Sequence, residues 1–222
     1  MPSNDIEWGF YQPDEDWDDS VRRLPHREQA GAITFVTFRL FDSMPKPIVT
    51  KWHQEIAQWL SEHQLSGMTV EQVFASTTVA SSLKRELRKF KNRRWHNQLD
   101  NCHGGCVLKQ LHCRQEVSKS LLHFDGQRYD IDRFVVMPNH VHVLIQMRHG
   151  YGLRQQFREI QRFSAREINK ILGRSGSLWQ GEPFDHIVRH ADQLVYLQQY
   201  VADNPSKAHL SPDQYTYWER PK

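Results

Sequence analysis

The sequence predicts an α+β fold in which an antiparallel sheet is covered by helices. Two observations carry that reading. Strongly β-forming runs at 32–41 and 129–147 are rich in Val, Ile, Thr, Phe and Tyr, and the second is interrupted by Pro138-Asn139, a turn pair that folds it into a hairpin. Around these runs lie amphipathic helical patterns at 49–62, 81–99, 153–172 and 191–203, whose apolar residues recur every three or four positions and need a surface to cover.

Taken in order, AITFVTFRLF at 32–41 is the first core strand, ended by Pro45 and Pro47. The next helix, 49–62, puts Trp52, Ile56, Trp59 and Leu60 on one side. Residues 81–99 form a second helix whose Leu83, Leu87 and Phe90 pack, while Lys84, Arg85, Arg88, Lys89, Lys91, Arg93 and Arg94 make it densely cationic. The stretch Asn101 to Gly105 breaks the pattern, and 116–122 is helical before the hairpin. Gly150 and Gly152 open a long helix at about 153–172, and Gly173 closes it as a C-terminal glycine. A last helix at 191–203 stops at Asn204-Pro205, because the residue before proline resists the α conformation.

The chain has 222 residues, 38% of them hydrophobic, enough for a sizeable core. No apolar run approaches the roughly 18 residues of a membrane span, and the N-terminus lacks a basic, then apolar, leader. The expectation is a cytoplasmic protein with no membrane partner. Three cysteines, Cys102, Cys106 and Cys113, do not make a disulfide framework. Zinc held by them with His103 or His112 is a competing reading, but there is one close pair rather than two, and ordinary thiols are preferred. Residues 1–19 hold seven acidic side chains and no Lys or Arg, which leaves 29 basic against 19 acidic side chains in the rest, a surplus of ten. Residues 1–21 are read as an acidic arm, extended or poorly ordered, able to fold back on the basic body. A body of that charge attracts polyanions.

Chemistry concentrates in two places. In VMPNHVHVLI, His140 and His142 are two apart, so a strand projects both from one face, while Val141, Val143 and Ile145 point the other way into a core. Two imidazoles on one face suit a shared divalent metal, or equally two surface residues. In QQYVADNPSKA, Tyr200 and Asn204 are four apart and share one side of a helix. A tyrosine hydroxyl is a usable nucleophile towards a polarised phosphate, and an asparagine oxygen can complete a metal site. A third feature is a basic series on the long helix: Arg154, Arg158, Arg162, Arg166 and Lys170, then Arg174 beyond its end. Steps of four drift about 40° each, so these side chains form one ridge, either a solvated face or a track for phosphates.

Together these segments resemble the HUH single-tyrosine transposases, and more closely the REP-associated tyrosine transposases. The resemblance rests on RRLPHREQAGAITFVTFRL at 22–40, LLHFDGQRYDIDRFVVMPNHVHVLI at 121–145, FSAREINKILGRSGSLWQGEPFDHIVR at 163–189 and YVADNPSKA at 200–208. It implies one catalytic domain over 22–210, with a C-terminal tail at 211–222. The implied sheet has four to five strands in ferredoxin-like order, with the histidine strand central and the tyrosine helix across its metal-bearing face. It makes His140, His142 and Asn204 the metal residues, with Mg²⁺ or Mn²⁺, and Tyr200 the nucleophile, Tyr196 being the competitor one turn earlier. Ser206 and Ala208-His209 depart from the family's usual residues without touching that chemistry.

The implied activity is cleavage and rejoining of single-stranded DNA at hairpin-forming palindromic repeats through a 5′-phosphotyrosine. The implied setting is the bacterial cytoplasm, on the nucleoid, with a monomer favoured over a dimer. The ridge from Arg154 to Arg174 and the group Lys84, Arg88, Arg93 and Arg94 are the expected phosphate contacts, with Trp95 or Trp179 as stacking candidates. Two rival readings stand beside it. One is a non-catalytic, domesticated DNA-binding protein of the same repeats, and the other a phosphodiesterase that uses water.

Overall fold

The computed structural model describes residues 6–12, 18–21, 25–29 and 31–221. In chain order its elements are β1 (Asp18–Val21), β2 (Pro25–Glu28), β3 (Ile33–Arg39), α1 (Lys46–Glu62), α2 (Val70–Ala75), α3 (Ser81–Asp100), α4 (Leu111–Leu122), β4 (Tyr129–Val136), β5 (His140–Met147), α5 (Leu153–Ile171), β6 (Phe184–Ile187), α6 (Ala191–Lys207) and β7 (Thr216–Glu219). They form two compact units: residues 1–41 with 105–222, and residues 42–104. The span 22–210, expected as one domain, therefore contains an insertion with a core of its own.

In the first unit a five-stranded antiparallel sheet runs in the order β6-β3-β5-β4-β7. Its first four members stand in the ferredoxin-like order, and β7 is added beside β4. The added strand comes from residues read as a tail. It stays because Trp218 stacks on Phe134 at 5.4 Å and Arg133 meets Glu219. Strand β5 lies third of five, so both its faces are covered and both are buried. Val141, Val143 and Ile145 join Val36, Phe38, Phe134 and Val136 in a core closed by α4 and α5 through Val117, Leu121, Phe157 and Ile160. The opposite face offers Ile33, Phe35, Val135 and Leu144 to α6, which contributes Leu194, Leu197 and Val201. Alternation along the strand thus sends the valines and the histidines of β5 to different layers.

The described part of the acidic arm, 6–12, runs along this unit, whereas 1–5 and 13–17 lie outside the described residues. The Gly9 carbonyl accepts from Ile33, its amide donates to Gln146, and Tyr11 donates to the Val188 carbonyl. A Cβ at Gly9 would come within 2.0 Å of the Gly31 oxygen, so only glycine allows the approach.

Two helix ends differ from expectation. Pro45 and Pro47 begin α1 rather than merely ending the strand: Pro45 is the N-cap, and Pro47 occupies the first turn, where its missing N–H goes unneeded. Helix α6 runs through Asn204-Pro205 to Lys207. Pro205 is buried in the last turn, and closure comes after it, with His209 at φ 53° donating to the Ser206 carbonyl and Leu210 to Pro205. Helix α5 ends as expected: Gly173 at φ 60° donates to Lys170, and Arg174 to Asn169.

The second unit, 42–104, packs α1, α2 and α3 around Ile56, Trp59, Leu60, Val73 and Leu87. Helix α2 is opened by a reciprocal Thr69–Gln72 capping box, too short a signal to be read as a helix from periodicity alone. Among the described residues no helix is long and apolar enough to cross a membrane.

Phe157 on α5 is buried and meets Phe38 edge-on at 5.7 Å. Phe157→Ala is expected to cost about 3–5 kcal/mol in urea unfolding, whereas Arg162→Ala, exposed on the same helix, should stay within about 0.5 kcal/mol.

Candidate active site

The two histidines of β5 leave the turn together. Pro138 and Asn139 form a two-residue loop closed by the Met137 amide on the His140 carbonyl at 2.8 Å. The register with β3 then sets Arg39 opposite His140 and Thr37 opposite His142. Both imidazoles are fully buried. Asn139 Oδ1 lies 2.7 Å from His140 Nδ1, so that nitrogen carries the proton and donates. Thr37 Oγ1 lies 2.8 Å from His142 Nδ1. With both Nδ1 atoms engaged, the two Nε2 atoms face each other at 3.0 Å.

That donor set fits a divalent ion. Two imidazole nitrogens about 2.1 Å from one ion, at right angles, stand about 3.0 Å apart. Oxygen and hydroxyl partners on the far ring nitrogens are the usual way a protein aims such ligands and fixes their tautomers. Thr37 and Asn139 were not read from the sequence as site residues. Their signal was positional: Asn139 precedes the first histidine, and Thr37 sits on β3, one of the two strands that pair with β5.

Helix α6 brings Tyr200 to this pair. Its ring centroid is 5.3 Å from that of His142 and 5.9 Å from that of Phe35, edge-on to both directions of packing at 65° and 81°. Phe35 itself stacks on His142 at 5.3 Å. Asn204, one turn beyond Tyr200, is fully buried. Tyr196, one turn before, is 68% exposed. The helix is held in place by Gln198, whose amide donates to both oxygens of the buried Asp132 on β4 at 3.2 and 3.1 Å. Two cations also stand near the group. Lys207 Nζ lies 5.3 Å from the Tyr200 ring centroid. Arg39, across from His140, is half-buried, and that desolvation pushes its guanidinium down to about 10.

The basic ridge of α5 falls on another face. Arg158, Arg162, Arg166, Lys170 and Arg174 are exposed and Arg154 is half-buried. Their helix, α5, covers the sheet face opposite to that of the histidines, so the ridge and the pair are not brought together. Glu167 bonds Arg166 and Lys170 at 2.7 and 3.1 Å. In the second unit Lys84 is turned onto the carbonyls of Phe74 and Ser76, Arg88 lies over the Phe74 ring at 5.1 Å, and Arg94 meets Glu55 at 3.3 Å, while Arg93 is exposed. Trp179 is a core residue rather than a stacking platform: it packs on Phe38 at 4.8 Å, and its N–H donates to Ser164. Trp95 is half-buried against Trp52 at 5.3 Å. The three cysteines are not joined in disulfides, and Cys113 is buried in the α4 layer.

A buried His-x-His pair thus faces a tyrosine on a later helix. Residues 110–204 match the family described as "Transposase IS200 like". The matched segment covers 95 of the 222 residues. It contains the His140–His142 strand, Tyr200 and Asn204. Among solved structures, one similar to this chain is that of a REP-associated tyrosine transposase bound to a REP hairpin, 16% identical over 86% of this chain and 74% of that one, with a TM-score of 0.42. No curated protein matches the chain.

Thr37→Val is expected to weaken Mn²⁺ binding at the pair about 10- to 100-fold by calorimetry, because it unfastens His142 Nδ1 while keeping the side chain's shape. Unchanged affinity would mean that Thr37 does not orient the ligand.

Proposed function

We propose that this chain cleaves and rejoins hairpin-forming single-stranded DNA through a 5′-phosphotyrosine at Tyr200. One observation carries the reading: α6 sets Tyr200 against the face on which two oriented, buried imidazoles converge. His140, His142 and Asn204 would hold Mg²⁺ or Mn²⁺, which when bound draws charge from the scissile phosphate.

The remaining roles belong to the chain's own residues. Tyr200 Oη attacks phosphorus, its proton passing to solvent. The bond from phosphorus to the 3′ oxygen breaks, and that oxygen keeps the electron pair and takes up a proton. The new tyrosyl diester has about the energy of the bond it replaced, so a 3′-hydroxyl can later reverse the step without an external energy source. Phe35 and His142 pack two sides of the Tyr200 ring, which limits its freedom before the attack. Tyr196, directed to solvent, is poorly placed for the same work.

The exposed side chains of Arg158, Arg162, Arg166, Lys170 and Arg174, with Arg154, and in the second unit Arg93 beside Lys84, Arg88 and Arg94, are assigned to phosphates outside the reacting centre. Binding through them weakens with salt. The substrate places the protein on the bacterial chromosome in the cytoplasm, acting as a monomer.

The test is incubation with a hairpin oligonucleotide and Mn²⁺, followed by denaturing electrophoresis. The wild type should form a covalent adduct that chelation prevents. Tyr200→Phe should lower adduct formation by on the order of 10³-fold or more, and Tyr196→Phe should change it by about twofold at most. Tight hairpin binding with no adduct would assign the chain to the non-catalytic binders. Strand cleavage that survives Tyr200→Phe would assign it to the water-using phosphodiesterases.

A further inference from the structure

Arg39 has no part in the chemistry described so far, yet the fold aims it at the same place. It is the last residue of β3 and pairs with His140 in the register that sets Thr37 against His142. Paired residues of antiparallel strands project from the same face, and the Thr37–His142 hydrogen bond shows which face this is. Phe35, Thr37 and Arg39 thus form one row: the first stacks on His142, the second orients it, and the third flanks His140.

The backbone around Arg39 is held on both sides. Its carbonyl accepts from Gln180, the Leu40 amide donates to Asn139, and Leu40 bridges to Trp179.

We propose that Arg39 is a catalytic residue whose guanidinium binds a non-bridging oxygen of the scissile phosphate and offsets the charge that builds there during attack by Tyr200. The assignment rests on the function proposed above. A diester carries one negative charge, and attack by a phenolate places a second on the five-coordinate phosphorus, shared by its non-bridging oxygens. The planar fork of arginine meets such oxygens with paired N–H donors, and the cation is used in full only when both charges are present. No proton moves: Arg39 stays charged, and the leaving 3′ oxygen takes its proton from solvent.

The experiment compares adduct formation on two hairpin oligonucleotides, one with a phosphodiester at the cleaved position and one with a neutral methylphosphonate. Arg39→Gln should slow the diester reaction by on the order of 10²-fold. On the methylphosphonate, which lacks the charge that arginine meets, wild type and variant should react at rates within about threefold of each other, since only uncharged contacts remain to differ. Arg39→Lys, which keeps a charge but not the fork, should show a smaller loss on the diester and the same convergence. Equal losses on both oligonucleotides, or no loss on either, would overturn the assignment, and the lysine variant decides the matter should the glutamine variant fail to fold. Failure of the underlying function is told apart by the wild type, which would then form no Tyr200-dependent adduct on the diester at all.

Discussion

The constraint on which the site depends is the register between β3 and β5. Side chains alternate along a strand, so a slip of one residue would turn His140 and His142 into the α4–α5 layer and bring Val141 and Val143 against α6. Both layers are apolar, and each residue of the pair would then be wrong in energy as well as place. Burial of a large apolar side chain is worth roughly 1.5–3 kcal/mol. Phe38 and Val36 on one side, with Phe35 and Ile33 on the other, therefore hold the register from both faces. The same pairing supplies Thr37 to His142. Core packing and ligand orientation are set by one strand alignment.

Helix α6 supplies the second half of the site, and it is positioned by means of a different kind. Leu194, Leu197 and Val201 bury its inner side, but apolar contacts alone leave a helix free to slide or turn. Gln198 donating to Asp132 gives a directional restraint, and Asp132 lies beside a break in the β4–β5 register, between Ile131 and Arg133. An irregularity of this sort re-aims a side chain that a regular strand would place elsewhere. Asp132 also receives Arg133 at 2.7 Å, so its buried charge is compensated. The continuation of α6 through Pro205 keeps Asn204 inside the helix, one turn past Tyr200 and on the same side.

Burying two imidazoles is expensive unless their ring nitrogens are engaged. On the Nδ1 side that engagement comes from Asn139 and Thr37. On the Nε2 side two nitrogens meet at 3.0 Å, a distance at which two lone pairs repel unless a proton or a cation lies between them. The pair is thus poised for ligation, and the edge of Tyr200 closes over His142. Residues 110–204, the stretch similar to the IS200-like transposase family, contain both halves.

Much of this was legible in the sequence. The strand and hairpin patterns and the layer assignment of Val141, Val143 and Ile145 follow from side-chain alternation, and the approach of Tyr200 to His142 is what the family resemblance implied. Those signals are local, and local signals survive without a fold. Thr37 and Arg39 were missed because their meaning depends on a strand pairing between residues about a hundred apart, whereas Asn139, next to His140, was read only as a turn residue. The same holds for β6 and β7, short and weakly patterned, which are strands only because β3 and β4 offer them edges. The separation of the Arg154–Arg174 ridge from the histidines, and the burial of Trp179, likewise depend on which sheet face each element covers. By itself the sequence determined which side chains each strand and helix presents on a given face. Only the tertiary structure decided which residues meet, because side-chain direction is set locally, whereas proximity is set by the register and layering of distant segments.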